Sequence, residues 1–199
     1  MSMWDQRYAQ PGYLFGEEPA DFLRSQAQVL APDSRVLCVA DGEGRNSVHL
    51  AGLGHRVTAF DASPIAVEKG RALAADKGAY VDFRLSGIED WDWDQPFDAV
   101  VGIFIQFAPP DLRAQLFDWM AQAVAPGGLL LLHGYAPRQV DYGTGGPGNP
   151  AHMYTEDLLR TAFDGWEVLR LEDYDREIDE GPGHSGKSAL VDFVARKVL

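Results

Sequence analysis

Two glycines one residue apart, Gly42 and Gly44, follow the apolar run Val36-Leu37-Cys38-Val39 and precede a segment that can open a helix. A second apolar run, Val57-Thr58-Ala59-Phe60, ends in Asp61, 17 residues after Gly44. Glycine lets the backbone enter left-handed conformations and lets a ligand come close where a Cβ would stand. A carboxylate at the end of the next strand can accept hydrogen bonds from both hydroxyls of a ribose. Turn and acid together predict a site for a nucleoside-containing cofactor. Gly42, Gly44 and Ser47 also fit the dinucleotide pattern G-x-G-x-x-G/A with serine in third place, so an NAD(P)-dependent oxidoreductase stays open. A non-catalytic sensor that binds such a cofactor stays open as well.

Those residues need a strand, a helix and a second strand to hold them, and the chain supplies elements of that kind along its length. A helix is expected from about Asp21 to Leu30, stopped by Pro32, and another from Arg45 to Leu53, closed by Gly54. Ser63-Pro64 supplies an N-cap and an N1 proline for a helix to about Lys77, with Gly78 as its stop. Strands are predicted at Tyr80–Leu85, Phe97–Ile105 and Leu129–Leu132, with a helix from Pro110 to about Val124 before the last of these. Gly134 to Pro150 reads as a Gly/Pro-rich loop that could reach an acceptor pocket. Thr155 caps a helix to about Phe163. Trp166–Tyr174 and Ser188–Arg196 are the last strands, close enough in sequence to favour an antiparallel pair. Glu177 to Lys187 between them, and Asp90 to Asp94 with Trp91 and Trp93, read as loops, the latter at the surface.

The composition narrows the partners. A chain of 199 residues with 46% hydrophobic and 24% charged residues is long enough for one domain, 1–199, with a sizeable core. Its net charge of -13 argues against a phosphate-backbone partner, leaving a small molecule and no nucleic acid. The single cysteine, Cys38, lies in an apolar strand and reads as packing. Five scattered histidines give no zinc spacing, so no metal is expected. Gly183-His184-Ser185-Gly186 lacks the G-x-S-x-G of a nucleophilic hydrolase. The N-terminal residues lack the pattern of a secretory signal and no apolar run suffices to span a membrane, so a cytoplasmic protein is expected. Oligomeric state is not legible.

The stretch Val36-Leu37-Cys38-Val39-Ala40-Asp41-Gly42-Glu43-Gly44-Arg45-Asn46 resembles the first motif of class I S-adenosylmethionine-dependent methyltransferases. With His49-Leu50-Ala51, Gly54-His55, Val57-Thr58-Ala59 and Asp61, it is similar to their tellurite-resistance and thiopurine-type branch. The W-D-x-R-Y start at Trp4, the F-D-x-V run at Phe97, Pro126-Gly127-Gly128 and E-G-x-x-H-x-G at Glu180 extend the resemblance over nearly the whole chain. Cys38 and Ala40 depart from it, standing where the family has an acid and its first glycine.

That resemblance implies an α/β, Rossmann-like three-layer sandwich with a mixed seven-stranded sheet whose last strand is antiparallel. It implies S-adenosyl-L-methionine as cofactor and S-adenosyl-L-homocysteine as product. Contacts are expected from Ala40, Asp41, Gly42, Gly44, Arg45 and Asn46, mainly through the backbone from Ala40 to Gly44. The ribose falls to Asp61 with Ala62, the adenine to Ser86, Gly87 and Ile88, and the adenosyl and methyl region to Ile103. Residues 1–30, rich in aromatics, become an arm or lid. His184, with Arg176 and Lys187 in the same region, is the first candidate for contacting the acceptor, which is expected to be small and soft or anionic, of sulfur, selenium or tellurium type. His133 is a weaker candidate, and His49 and His55 read as surface or packing residues.

Overall fold

The computed structural model describes residues 2–198; Met1 and Leu199, included in the expected 1–199 domain, lie outside the described residues. The chain forms two compact units, Met1–Trp91 with Glu180–Gly183, and Asp92–Asp179 with His184–Leu199. Seven strands form one sheet in the order β3-β2-β1-β4-β5-β7-β6.

In the first unit, α1 (Met3–Tyr8) and α2 (Asp21–Gln26) precede β1 (Arg35–Val39), α3 (Arg45–Gly52), β2 (Arg56–Asp61), α4 (Pro64–Asp76) and β3 (Val81–Leu85). The three strands run parallel, with Val39 beside Phe60 and Asp61 beside Leu85. Val36, Leu37, Cys38 and Val39 are all buried, as expected of a strand covered on both faces. The helix expected to reach Leu30 ends at Gln26 and tightens into a 3-10 turn at Ala27–Val29. Ser63 caps α4 as its sequence implies, its hydroxyl accepting from the amide of Ala66 at 3.3 Å.

In the second unit, β4 (Phe97–Ile103) leads to α5 (Pro110–Ala123), β5 (Val124–Tyr135), α6 (Glu156–Ala162), β6 (Glu167–Asp179) and β7 (Ser185–Arg196). β4 and β5 are parallel, while β7 is antiparallel to both β5 and β6. Leu116, Met120, Leu130, Leu131 and Phe193 are fully buried at its centre.

Two expectations are corrected. The segment Glu177–Lys187 is mostly hairpin, with Glu177 paired to Lys187 and Asp179 to Ser185, so only five residues turn the corner. Trp93 is not a surface residue but is buried and stacks on Trp119 at 6.0 Å, and Trp91 is partly covered, stacking on Phe60 at 4.3 Å. Burying an indole outweighs the acids interleaved with it.

Candidate functional site

The turn between β1 and α3 takes a left-handed conformation at every second residue. Ala40 has φ 46°, Gly42 61° and Gly44 88°. The amide of Asp41 donates to the carbonyl of Phe60 at 3.0 Å, tying the turn to β2. Gly42 donates to Oδ2 of Asp61 at 2.9 Å, and Ser63 donates to Oδ1 of the same carboxylate at 2.9 Å. Asp61 also accepts, through its carbonyl, from the amide of Ser86 at 3.0 Å. One residue therefore joins the ends of three strands.

The two glycines are needed for different reasons. A Cβ on Gly44 would lie 2.8 Å from Cα of Gly70 and 3.0 Å from the Phe83 ring, so its missing side chain serves the packing of α3 on α4. A Cβ on Gly42 would lie 2.9 Å from the hydroxyl of Tyr8, so there it is the N-terminal arm that comes close.

Acidity is concentrated at this turn. Burial pushes the Asp41 carboxyl up to about 7, against a hydrogen bond donated by the Ser47 hydroxyl. Burial raises Asp61 as well, countered by the backbone amides of Ser63, Gly42 and Ala62. Tyr8 is raised by burial and by the charges of Asp61 and Glu43. Carboxylates held in this way favour a ligand that brings positive charge and hydroxyl donors. Ser86 donates its hydroxyl to the carbonyl of Gly87 at 2.9 Å, Ile88 is buried, and Ala62 is exposed.

The arm is fastened around the turn. Glu43, buried, accepts from the amide of Leu14 at 2.7 Å and pairs with Lys69 at 2.9 Å, while Lys69 also donates to the carbonyls of Gln10 and Gly12. Oδ1 of Asn46 accepts from the amide of Ala20 at 3.0 Å. Arg45 pairs with Glu180 at 2.9 Å, both buried. The side chains of Arg45 and Asn46, expected at the cofactor, are thus engaged by Glu180 and by the arm. Trp4, Tyr8 and Phe15 form one aromatic cluster, with the Arg7 guanidinium 4.6 Å from the Trp4 ring.

The second unit has its own cluster, centred on Phe104 just beyond β4. Phe104 has φ 55°, a conformation costly for a bulky side chain and common where function requires it. It is held there by its amide, which donates to the carbonyl of His133 at 2.8 Å. Two residues on, the buried Gln106 amide brackets Tyr135, accepting from its N–H at 2.7 Å and donating to its carbonyl at 2.8 Å. The Phe104 ring meets His184 in a stack at 4.1 Å, Tyr135 at 4.7 Å and His133 edge-on at 4.8 Å.

Each histidine has a polar partner. Nδ1 of His184 lies 2.6 Å from the Tyr135 hydroxyl. Nδ1 of His133 lies 2.7 Å from Oδ1 of Asp192, so imidazole and carboxylate share a hydrogen bond. Asp192 also accepts from Arg170 at 2.9 Å and from Tyr174 at 3.1 Å. Ile103 ends β4 in register with His133. Arg176 is exposed on β6, paired with Ser188, and Lys187 is exposed 4.4 Å from the Tyr142 ring. Asp192, and the pairing of Glu180, which the sequence marks only as the start of a motif, escaped sequence reasoning because their partners lie 59 and 135 residues away. Among the described residues no group is placed to hold a metal ion, and no helix is long and apolar enough to cross a membrane.

Residues 36–128 match the family described as "Methyltransferase domain". The chain is 37% identical over 108 residues to a ubiquinone biosynthesis O-methyltransferase of Xanthomonas campestris pv. campestris, a match covering 53% of this chain and 45% of the relative. The chain thus spans less than half the length of this curated relative. Among solved structures, N-methyltransferase NodS from Bradyrhizobium japonicum with bound S-adenosyl-L-homocysteine superposes with a TM-score of 0.71 at 15% identity, over 98% of this chain and 96% of that one. TehB from Haemophilus influenzae gives a TM-score of 0.71 at 22% identity, over 88% of this chain and 61% of that one. Both likenesses are to the fold of this chain.

Proposed function

We propose that this chain is a class I S-adenosylmethionine-dependent methyltransferase and that it acts in the tellurite-resistance and thiopurine-type branch of that class on a small, soft or anionic acceptor. The observation that carries the cofactor half is the Gly42–Asp61 hydrogen bond, which joins the glycine turn to the carboxylate suited to a ribose. Support for the branch comes from the first motif, the E-G-x-x-H-x-G stretch and the structural likeness to TehB. Residues 1–199 act as one methyltransferase domain, with 1–30 as its lid and a cytoplasmic location.

The bound cofactor supplies an electrophilic methyl group on a positively charged sulfur. The chain's own residues do the rest. Backbone from Ala40 to Gly44 receives the methionyl end and Asp41 offsets its positive charge. Asp61 and Ala62 take the ribose, the Ser86-Gly87-Ile88 turn takes the adenine, and Ile103 lies along the adenosyl and methyl region. Arg45 and Asn46 contribute through their backbone while their side chains hold Glu180 and the arm. His184 orients the acceptor, and exposed Arg176 attracts it where it is anionic. Approximation and exclusion of water provide most of the rate, so a deprotonated thiolate needs no further base.

Calorimetry with S-adenosyl-L-homocysteine tests the cofactor. Absence of binding by folded protein, preference for NAD or NADP, or binding untouched by Asp61→Ala would each overturn it. A screen of thiol, selenium, tellurium, oxygen and nitrogen acceptors with labelled S-adenosylmethionine tests the reaction; no turnover beside tight cofactor binding would mark a sensor. Unchanged turnover and acceptor affinity in His184→Ala would count against its placement.

A hydroxyl acceptor is the second reading. The likeness to an O-methyltransferase and the Asp192–His133 pair favour it, since a hydroxyl must lose its proton as it is methylated and a carboxylate-backed imidazole can take one. In that case the screen selects hydroxyl compounds and His133→Ala abolishes their turnover.

A further inference from the structure

Glu180 opens the E-G-x-x-H-x-G stretch and is the centre of a junction inside the first unit. Its carboxylate is buried; Oε2 accepts from Arg45 at 2.9 Å and Oε1 accepts from the amide of Asp21 at 3.0 Å. Arg45 is the first residue of α3, directly after Gly44, and Asp21 is the first of α2. Three residues beyond Glu180, the amide of Gly183 donates to the carbonyl of Leu14 at 2.9 Å, and the amide of Leu14 donates to Glu43 in the glycine turn at 2.7 Å.

The glycines of the stretch serve the same junction. A Cβ on Gly181, already at φ +89°, would lie 2.4 Å from the amide nitrogen of Gly16, and one on Gly183 would lie 2.3 Å from the Phe15 ring. The segment 180–183 is thus laid flat against residues 14–21 of the arm, and the residue that follows it is His184.

A buried ion pair adds little net stability compared with apolar residues of the same volume, although breaking it by removing one partner is costly. Stability alone therefore does not explain why Arg45 and Glu180 face each other. Register does, because their pairing brings together an arm, a loop and a turn from three parts of the chain. We infer that Glu180 is a positioning residue, fastening the arm and the loop that leads into His184 onto the glycine turn so that filling the turn orders all three together. The inference rests on the cofactor reading of the Ala40–Gly44 turn.

Amide hydrogen exchange with and without S-adenosyl-L-homocysteine tests it. In the wild type the ligand is expected to slow exchange at Gly42, Leu14 and Gly183 together, by about tenfold or more. In Glu180→Gln the ligand protects Gly42 while its protection of Leu14 and Gly183 is lost. Because that variant leaves Arg45 buried without its partner charge and could unfold, the double variant Arg45→Met with Glu180→Gln is run beside it. Removing both charges is expected to bring the thermal midpoint back towards wild type with the coupled protection still absent. If protection of Leu14 and Gly183 returns with the thermal midpoint, Glu180 is only structural and the inference falls. If folded wild-type protein does not bind the ligand, the cofactor reading falls and takes the inference with it. If it binds and Glu180→Gln keeps the coupled protection, the inference alone falls.

Discussion

The amide of Gly42 donates to Oδ2 of Asp61 across 2.9 Å, so the carboxylate proposed for the ribose also holds the turn proposed for the methionyl end. Asp61→Asn keeps the size of the side chain but sets an amide donor against one of the backbone amides it serves. A hydrogen bond to a charged group contributes about 1.5–3 kcal/mol, so S-adenosyl-L-homocysteine should bind about tenfold to a hundredfold more weakly. Calorimetry gives the value, and an unchanged Kd would remove Asp61 from the site.

On the proposed reading, Asp41 should make cofactor binding pH-dependent. Burial pushes its carboxyl up to about 7, above its value in the unfolded chain. The folded protein then holds a proton that the unfolded chain has released, so this group lowers stability progressively as pH rises from about 4 to 7 and holds that deficit above. A cationic ligand binds the ionised form, so the affinity for S-adenosylmethionine should rise between about pH 6 and pH 8. Asp41→Asn should flatten that rise and should raise the thermal midpoint of the ligand-free protein more at pH 8 than at pH 5. Calorimetry and thermal unfolding at those pH values check both.

Asp192 should behave in the opposite sense. Burial alone would raise it, but hydrogen bonds from His133 and Arg170 hold it below the ordinary carboxylate range. Its contribution is present above the unfolded carboxylate value of about 4 and is lost as pH falls through the lowered folded value. Asp192→Ala leaves His133, Arg170 and Tyr174 without that partner and should cost about 3–5 kcal/mol, measured by denaturant unfolding at pH 7. A loss below about 1 kcal/mol would show that the buried network reorganises around the gap.

Gly42 and Gly44 should respond differently to alanine. Both sit at positive φ, which costs an L-residue about 1–2 kcal/mol. In Gly44→Ala the new methyl also meets the Gly70 backbone, which cannot give way without parting α3 from α4, so thermal unfolding should shift strongly downwards. In Gly42→Ala it meets the far end of Tyr8, which can swing aside. That variant should fold and show faster proteolysis within residues 9–20. Equal stability losses would contradict the distinction.

Much of this arrangement was legible because it is local. The glycine turn, Asp61 at the end of β2, the Ser63-Pro64 start of α4 and the Thr155 cap of α6 all depend on neighbours within a few residues. The antiparallel last pair followed from short spacing. The extension of β6 to Asp179 was hidden because the strand is mostly exposed and charged, so no alternation of apolar residues marked it. Glu180, Asp192 and Gln106 were hidden because a buried polar residue reads as an ordinary loop or strand residue until its distant partner is known. The same holds for Arg45 and Asn46, whose motif suggested a ligand while their side chains found Glu180 and Ala20.

The sheet order leaves β3 and β6 as outer strands, each with a row of backbone groups that a second copy could extend. β6 carries Glu167, Glu172, Asp173, Asp175, Glu177 and Asp179 over its 13 residues, and β3 carries the Asp82–Arg84 pair. Like charges brought edge to edge repel, so near neutral pH this border protects the protein from aggregation by strand addition. Val168 and Leu169 lie exposed beside those charges. Light scattering at neutral pH should rise when edge acids are made neutral, as in Glu167→Gln with Glu172→Gln, and Lys in place of Val168 should suppress it.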